Sequence, residues 1–215
     1  MYDFVTHTWN TVKGACPHDC SYCYMKRWGN LKPVRFDKRE LKTDLGAGNF
    51  IFIGSSCDLF ADEIPHDWIL DTLTKANWYD NRYLLQSKNP ARFNRGYSED
   101  ISQPVVFCTT IETNRFYPEV MHASPHPCNR AVAMQKMRVP RYVTIEPILD
   151  FDLEPMIELI KRCEPVQVNI GADSGRNGLP EPSRDKVLAL IDALSQFTTI
   201  AKKRNLGRLF TEARP

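Results

Sequence analysis

Three cysteines fall within eight residues, in the stretch Cys16-Pro17-His18-Asp19-Cys20-Ser21-Tyr22-Cys23. Clustering this tight, flanked by Gly14, Pro17, His18 and Asp19, is a poor pattern for a packed core. As thiolates, three cysteines are soft ligands suited to zinc or to iron–sulfur clusters. A structural zinc would need a fourth donor, either His18 or a distant cysteine. Zinc sites normally present two separated pairs, whereas Cys57, Cys108, Cys128 and Cys163 are singletons. A four-iron cluster usually takes four thiolates, so three would leave one iron open to an outside ligand. Inert reduced thiols, zinc and iron–sulfur all stay on the table at this point, with the spacing favouring iron–sulfur. None of the five histidines shows metal spacing, and His122 and His126 sit in a proline-rich stretch.

Such a loop needs a scaffold, and the chain alternates short apolar runs with helical stretches. Phe4 to Trp9, Asn49 to Gly54, Tyr83 to Gln86, Val105 to Ile111, Tyr142 to Ile145 and Val166 to Ile170 read as strands. Their Val, Ile, Phe and Tyr content fits strands buried on both faces of a parallel sheet. Helices are expected over Asp67 to Asn77, over Asn129 to Arg138 behind an asparagine cap, and over Leu153 to Cys163 with Pro155 in the first turn. Ser183 reads as the N-cap of a further helix carrying Val187, Leu190, Ile191 and Leu194. After Phe197, the β-branched Thr198, Thr199 and Ile200 fit helix and strand equally. Gly46-Ala47-Gly48 follows no strand and reads as a loop.

Repeated β-α units imply a parallel sheet with right-handed crossovers. A full eight-fold barrel needs ~250 residues, and at ~30 residues per unit the 215 residues here hold fewer. The fold class is therefore α/β, either an incomplete barrel or a doubly wound sheet, with ligands expected at the C-terminal strand ends. One domain spanning 1–215 is expected, with the cysteine loop at 14–24 and a C-terminal extension over about 197–215. Hydrophobic residues at 42% and charged residues at 25% exclude disordered, collagen-like and coiled-coil chains. The formal charge of +2 neither announces nucleic acid nor excludes it. No apolar run is long enough to span a membrane. MYDFVTHTWN has no export-signal pattern, so seven cysteines, an odd number, point to a reducing cytoplasm.

The C-x3-C-x2-C spacing, with aromatic Tyr22 before the last cysteine, resembles the radical S-adenosylmethionine (radical SAM) superfamily, whose fold is a partial (β/α)6 barrel. The resemblance covers most of the chain. THTWNTVKGACPHDCSYCY looks like the opening of a phage-associated, largely uncharacterised branch. The stretches Gly54-Ser55-Ser56-Cys57-Asp58-Leu59-Phe60, Ser87-Lys88-Asn89-Pro90, Ile111-Glu112-Thr113, Ile145-Glu146-Pro147-Ile148 and Gly171-Ala172-Asp173-Ser174-Gly175 resemble that branch's later motifs, in the same order. Cys57, Asn89, Ala172 and Asp173 depart from it, standing where the branch has methionine, arginine, glycine and glutamate. A more distant similarity is to spore photoproduct lyase, a DNA-repair member of the superfamily.

The resemblance implies that Cys16, Cys20 and Cys23 hold a [4Fe-4S] cluster whose open iron is chelated by S-adenosylmethionine. Reductive cleavage then yields a 5′-deoxyadenosyl radical that abstracts hydrogen from a substrate. It assigns Tyr22 to the adenine, and Gly54, Ser55 and Ser56 to the SAM ammonium, with Asp58 helping there or capping the loop. Lys88 pairs with the SAM carboxylate, and Glu112 with the ribose hydroxyls. Glu146 takes a ligand or lysine contact, and Asn169 and Asp173 an adenine or substrate contact. Each also has a plain alternative as a turn, cap, ion-pair or packing residue, Glu112 with Arg115 for instance. The substrate class expected is a nucleic-acid base or nucleotide, and the electron comes from an external flavodoxin- or ferredoxin-like donor. No second cluster is expected. A non-catalytic iron–sulfur or zinc protein, used in sensing or partner binding, is the alternative. Trp9 and Trp28 bracket the cysteines and either shield them or pack. Lys202-Lys203-Arg204 with Arg208 and Arg214 reads as a solvated helix end, or as a contact for nucleic acid.

Overall fold

The computed structural model describes residues 2–211, so Arg214 lies outside it. In chain order the strands are β1 (His7–Trp9), β2 (Val12–Lys13), β3 (Arg35–Phe36), β4 (Phe50–Ile53), β5 (Arg82–Ser87), β6 (Val105–Thr110), β7 (Arg141–Ile145), β8 (Gln167–Ile170) and β9 (Thr199–Lys202). The α-helices are α1 (His66–Ala76), α2 (Pro118–Met121), α3 (Pro127–Gln135), α4 (Leu153–Arg162), α5 (Arg184–Ser195) and α6 (Arg208–Thr211). Among the described residues no helix is long and apolar enough to cross a membrane.

Seven strands form one sheet in the order β1-β4-β5-β6-β7-β8-β9, every neighbouring pair parallel, while β2 and β3 make a small antiparallel ribbon. A doubly wound sheet reverses its order at a switch point. This one never does, so it winds in one direction as a partial barrel. The segment that fits helix and strand equally well by sequence becomes the seventh strand, β9. Edge strands β1 and β9 each pair on one side only, which leaves the barrel open between them. The β1–β4 crossover carries no α-helix, only 3-10 turns at Tyr24–Trp28 and Lys38–Lys42 beside the ribbon.

Strand alternation sorts side chains to two faces. Ile51, Ile53, Tyr83, Leu85, Phe107, Val143 and Val168 point outward into the core shared with Ile69, Leu73, Met134, Met156, Ile160, Leu190 and Leu194 of the helices. Ser183 caps α5 as expected, its hydroxyl accepting from Lys186 N at 3.3 Å. Helix α3 starts at Pro127 rather than after Asn129, because His126 Nδ1 caps it by accepting from Cys128 N at 3.1 Å.

The inner face is apolar at its lower end, where Leu84, Val106, Cys108 and Tyr142 cluster with Phe50 and Phe52. The N-terminal segment fills this end. Strand β1 begins at His7, not at Phe4, because Phe4 turns inward and stacks on Tyr2 with ring centroids 5.1 Å apart. The Tyr2 hydroxyl donates to Gln86 Oε1 at 2.7 Å and lies 2.6 Å from Thr144 Oγ1. Above this plug the inner face turns polar, with Gln86, Thr110, Thr144 and Asn169 near the C-terminal strand ends. Removing the plug's ring should be costly. Tyr2→Ala is expected to lower unfolding free energy by about 3–5 kcal/mol, and Tyr2→Phe by about 1 kcal/mol, both read from urea denaturation.

Candidate functional site

The polar upper half of the inner face forms the floor of a cavity of about 930 Å³ at the C-terminal ends of the strands, the face where barrels place their ligands. Cys16, Cys20 and Cys23 all line it. The loop that carries them is set by Gly14, whose φ of +108° suits glycine and whose missing Cβ would sit 2.5 Å from the Pro33 carbonyl oxygen. Ala15 N then donates to Lys32 O at 2.8 Å. Cys20 is buried, with its Sγ 3.2 Å from Ser124 Oγ, whereas Cys16 and Cys23 are half-buried.

Asp58 holds this loop from the β4 side. Its Oδ2 lies 2.8 Å from His18 Nε2 and accepts from the Ser87 hydroxyl at 2.9 Å and from Lys88 N at 2.8 Å. Its Oδ1 accepts from Phe60 N at 2.9 Å. Burial works against ionisation of both partners, yet attraction across the pair outweighs it. Asp58 is held below the usual carboxylate range and His18 is raised above the ordinary imidazole value. The neighbouring Cys57 thiol is the main reason the Cys16 pKa falls to about 6, against burial and the Asp58 charge, and the same pairing pushes Cys57 up. The metal-binding form of Cys16 is thus favoured at neutral pH. Burial raises Cys23.

This donor set fits an iron–sulfur cluster. Three thiols from one short loop face one cavity, the kind of donor set that thiolate-ligated iron–sulfur groups use.

Most of the residues assigned to SAM share that wall: Tyr22, Gly54, Ser55, Ser56, Asp58, Lys88, Glu146, Asn169 and Asp173. Gly54 ends β4 at φ +79°. Asn10 fixes the turn beyond it, its Oδ1 accepting from Ser56 N at 2.9 Å and from the Ser55 hydroxyl at 3.2 Å. Lys88 is largely buried, with its ammonium 5.3 Å from the Tyr22 ring centroid and 3.8 Å from Glu112 Oε1. The Glu146 carboxylate is paired with Lys203 and accepts from Asn205 Nδ2 at 2.9 Å. Asn169 Nδ2 donates to Thr144 Oγ1 at 3.3 Å. Asp173 spends its carboxylate on a turn, accepting from Gly175 N at 2.9 Å, from Asn177 Nδ2 at 2.7 Å and from Asn177 N. Asp58 likewise acts as a cap rather than as a free carboxylate.

Glu112 does not line the cavity. It is fully buried, bonded to Arg130 Nη1 at 2.7 Å and to the Tyr22 hydroxyl, so its carboxylate shapes the wall from behind instead of facing ribose. Arg115, its sequence-level partner, pairs with Asp150 and Asp152 instead. Neither tryptophan shields the cysteines. Trp9 packs in the outer core and donates to Glu40 O at 3.2 Å, while Trp28 is 78% exposed. Lys203 is no solvated helix end but a residue of the cavity wall, just past β9. Gln86, Thr110, Thr144 and Asn205, which the sequence does not single out, also stand on that wall, with His18 and Cys57. The signal for three of these is a Gln or Thr in the last two residues of a largely apolar strand.

No family model and no curated protein matches the sequence. Solved structures do match the fold. One is a single mutant of spore photoproduct lyase, 10% identical, with a TM-score of 0.64 over 94% of this chain and 79% of that one. Another is a double mutant of spore photoproduct lyase with bound AdoMet and dinucleoside spore photoproduct, 9% identical, with a TM-score of 0.55 over 88% of this chain and 61% of that one. At these identities the likeness is one of fold.

The Glu112–Arg130 pair yields a signed prediction. Burial opposes the Glu112 charge, but Arg130, Lys88 and the Tyr22 bond hold its pKa below the ordinary value. Its contribution is therefore present above the usual carboxylate range and is lost as pH falls through the folded pKa. Arg130→Met strands the carboxylate and should cost about 3–5 kcal/mol at neutral pH. In that variant the Glu112 pKa rises instead, so the deficit against wild type should shrink on acidification. Urea denaturation at several pH values reads both effects.

Proposed function

We propose that this chain is a radical SAM enzyme acting on a nucleic-acid base or nucleotide. The observation that carries the reading is the placement of Cys16, Cys20 and Cys23 on one loop lining one cavity, at the strand ends where such a barrel works. The same cavity is edged by the Gly54–Ser56 turn and by the Lys88 ammonium. The ordered resemblance of the strand-end motifs to a phage-associated branch supports the same chemistry. One of the similar folds holds AdoMet and a dinucleoside photoproduct, which supports a nucleic-acid component as substrate here.

Cys16, Cys20 and Cys23 would hold a [4Fe-4S] cluster, and Cys16 comes to that task already biased toward thiolate. When bound, the cluster would supply one electron to the SAM sulfonium, with methionine and a 5′-deoxyadenosyl radical as products. The protein's own part is placement. Lys88 presents a cation for the SAM carboxylate, buried enough for the pairing to count. The Gly54–Ser56 turn has no bulky side chain to hold the amino group away. Tyr22 offers a ring face whose orientation is locked by the bond to Glu112. Gln86, Thr110, Thr144 and Asn169 give the floor polar partners for a hydrogen-bonding substrate. An external flavodoxin- or ferredoxin-like donor in the reducing cytoplasm completes the reading.

Anaerobically reconstituted protein should be brown, hold about four irons per chain, and release 5′-deoxyadenosine and methionine from SAM under a strong reductant. Cys20→Ala should lose the colour and the iron as well as the cleavage. A colourless, zinc-loaded protein, or a Cys20→Ala variant that still carries a cluster and cleaves SAM, would overturn the proposal.

A further inference from the structure

The open side of the barrel is bordered by two chain segments that contain no acid. Between Asp19 and Asp37 the sequence carries Lys26, Arg27, Lys32 and Arg35 and not one Asp or Glu. Between Asp192 and Glu212 it carries Lys202, Lys203, Arg204 and Arg208, again with no acid. The first segment follows the edge strand β1, and the cations of the second begin at the end of the edge strand β9. Both reach the same cavity, with Tyr24 and Arg27 lining it from one segment and Lys202, Lys203 and Arg204 from the other.

Three of these cations are positioned for an outside anion. Arg27, Lys202 and Arg204 are exposed, and Arg27 Nε reaches only the Tyr24 carbonyl at 3.3 Å. Lys203, by contrast, is committed to Glu146, and Lys26 to Asp19 at 2.7 Å. The wall's own carboxylates are mostly spent, Asp58 on His18, Glu146 on Lys203 and Asp173 on its turn. Exposed Asp3 is the remaining negative charge on the lining.

An aromatic platform stands beside Arg27. Trp28 is 78% exposed and Tyr24 42% exposed, on the same 3-10 turn as Arg27. A solvent-covered indole one residue from the cavity-lining Arg27 suits a planar π-system. Cations along a groove with stacking rings between them are how sequence-tolerant single-strand binders work.

We propose that a single strand of nucleic acid crosses the gap between β1 and β9, with its phosphates on Arg27, Lys202 and Arg204 and a base stacked on Trp28. The strand thereby presents a neighbouring base to the cavity. This inference rests on the reading of that cavity as the active site. It adds the form of the substrate, unpaired rather than duplex, and the residues that grip it.

The test is fluorescence anisotropy of a labelled single-stranded oligonucleotide with the reconstituted protein, over a salt series, with neither SAM nor reductant. The single strand should bind tighter than the duplex of the same sequence. Arg27→Ala, Lys202→Ala and Arg204→Ala should each lower the salt slope by about 0.7 per lost phosphate contact. Trp28→Ala should weaken binding about 5-fold or more at unchanged slope. Lys136→Ala, an exposed cation at the end of α3, should leave both unchanged. The inference is overturned by equal affinity for duplex, by variants that bind like wild type, by an equal loss in Lys136→Ala, or by poly-glutamate competing charge for charge. Protein that cleaves SAM yet ignores the oligonucleotide defeats this inference alone. Protein that binds the strand as described but never cleaves SAM defeats the radical chemistry alone.

Discussion

A single buried carboxylate organises the working end of this molecule. Asp58 receives His18 from the cysteine loop, Ser87 and the Lys88 amide from the end of β5, and the Phe60 amide from its own turn. A buried ion is tolerable only when its lone pairs are filled by donors, and here each donor comes from a segment that must be in position for the site to exist. The spacing of the cysteines from Lys88 is thus fixed through one group. Glu112 does the same from behind the wall, joining Tyr22 of the cysteine loop to Arg130 of α3. Glu112, which the resemblance directs toward ribose, and Asp58, for which it already allows a cap, both serve as internal fasteners for the residues that face the cavity.

How much of this was legible in sequence depends on how local each interaction is. The strands were readable because burial on both faces leaves nearly unbroken apolar runs. The cysteine loop was readable because its three thiols are close in sequence. Phe4 was read into a strand because aromatics favour strands, whereas its ring is needed to fill the barrel. Residues 199–202 were ambiguous because β9 is an edge strand with little apolar content. Pairings between distant elements leave no periodic trace: Cys57 with Cys16, Arg130 with Glu112, Lys203 with Glu146. They are set by which strand ends the barrel brings together.

The open barrel has a cost and a use. An unclosed sheet leaves two edges whose backbone groups lack ladder partners, and an inner face that strands alone do not seal. The lower part of that face is closed by Tyr2 and Phe4 in an aromatic cluster. The upper part stays open and polar. The change from apolar to polar within single strands, Leu84 to Gln86 or Tyr142 to Thr144, is what turns a packed core into a container.

The plug also bears on the order of assembly. Tyr2 makes its hydrogen bonds to residues 84 and 142 positions downstream. During synthesis Tyr2, made before every strand of the sheet, would therefore wait until β7 has been made before its ring has a seat. Loop closure over such separations is entropically slow. The floor of the cavity is laid by residues made before any of the strands they plug, yet seated only after those strands have come together.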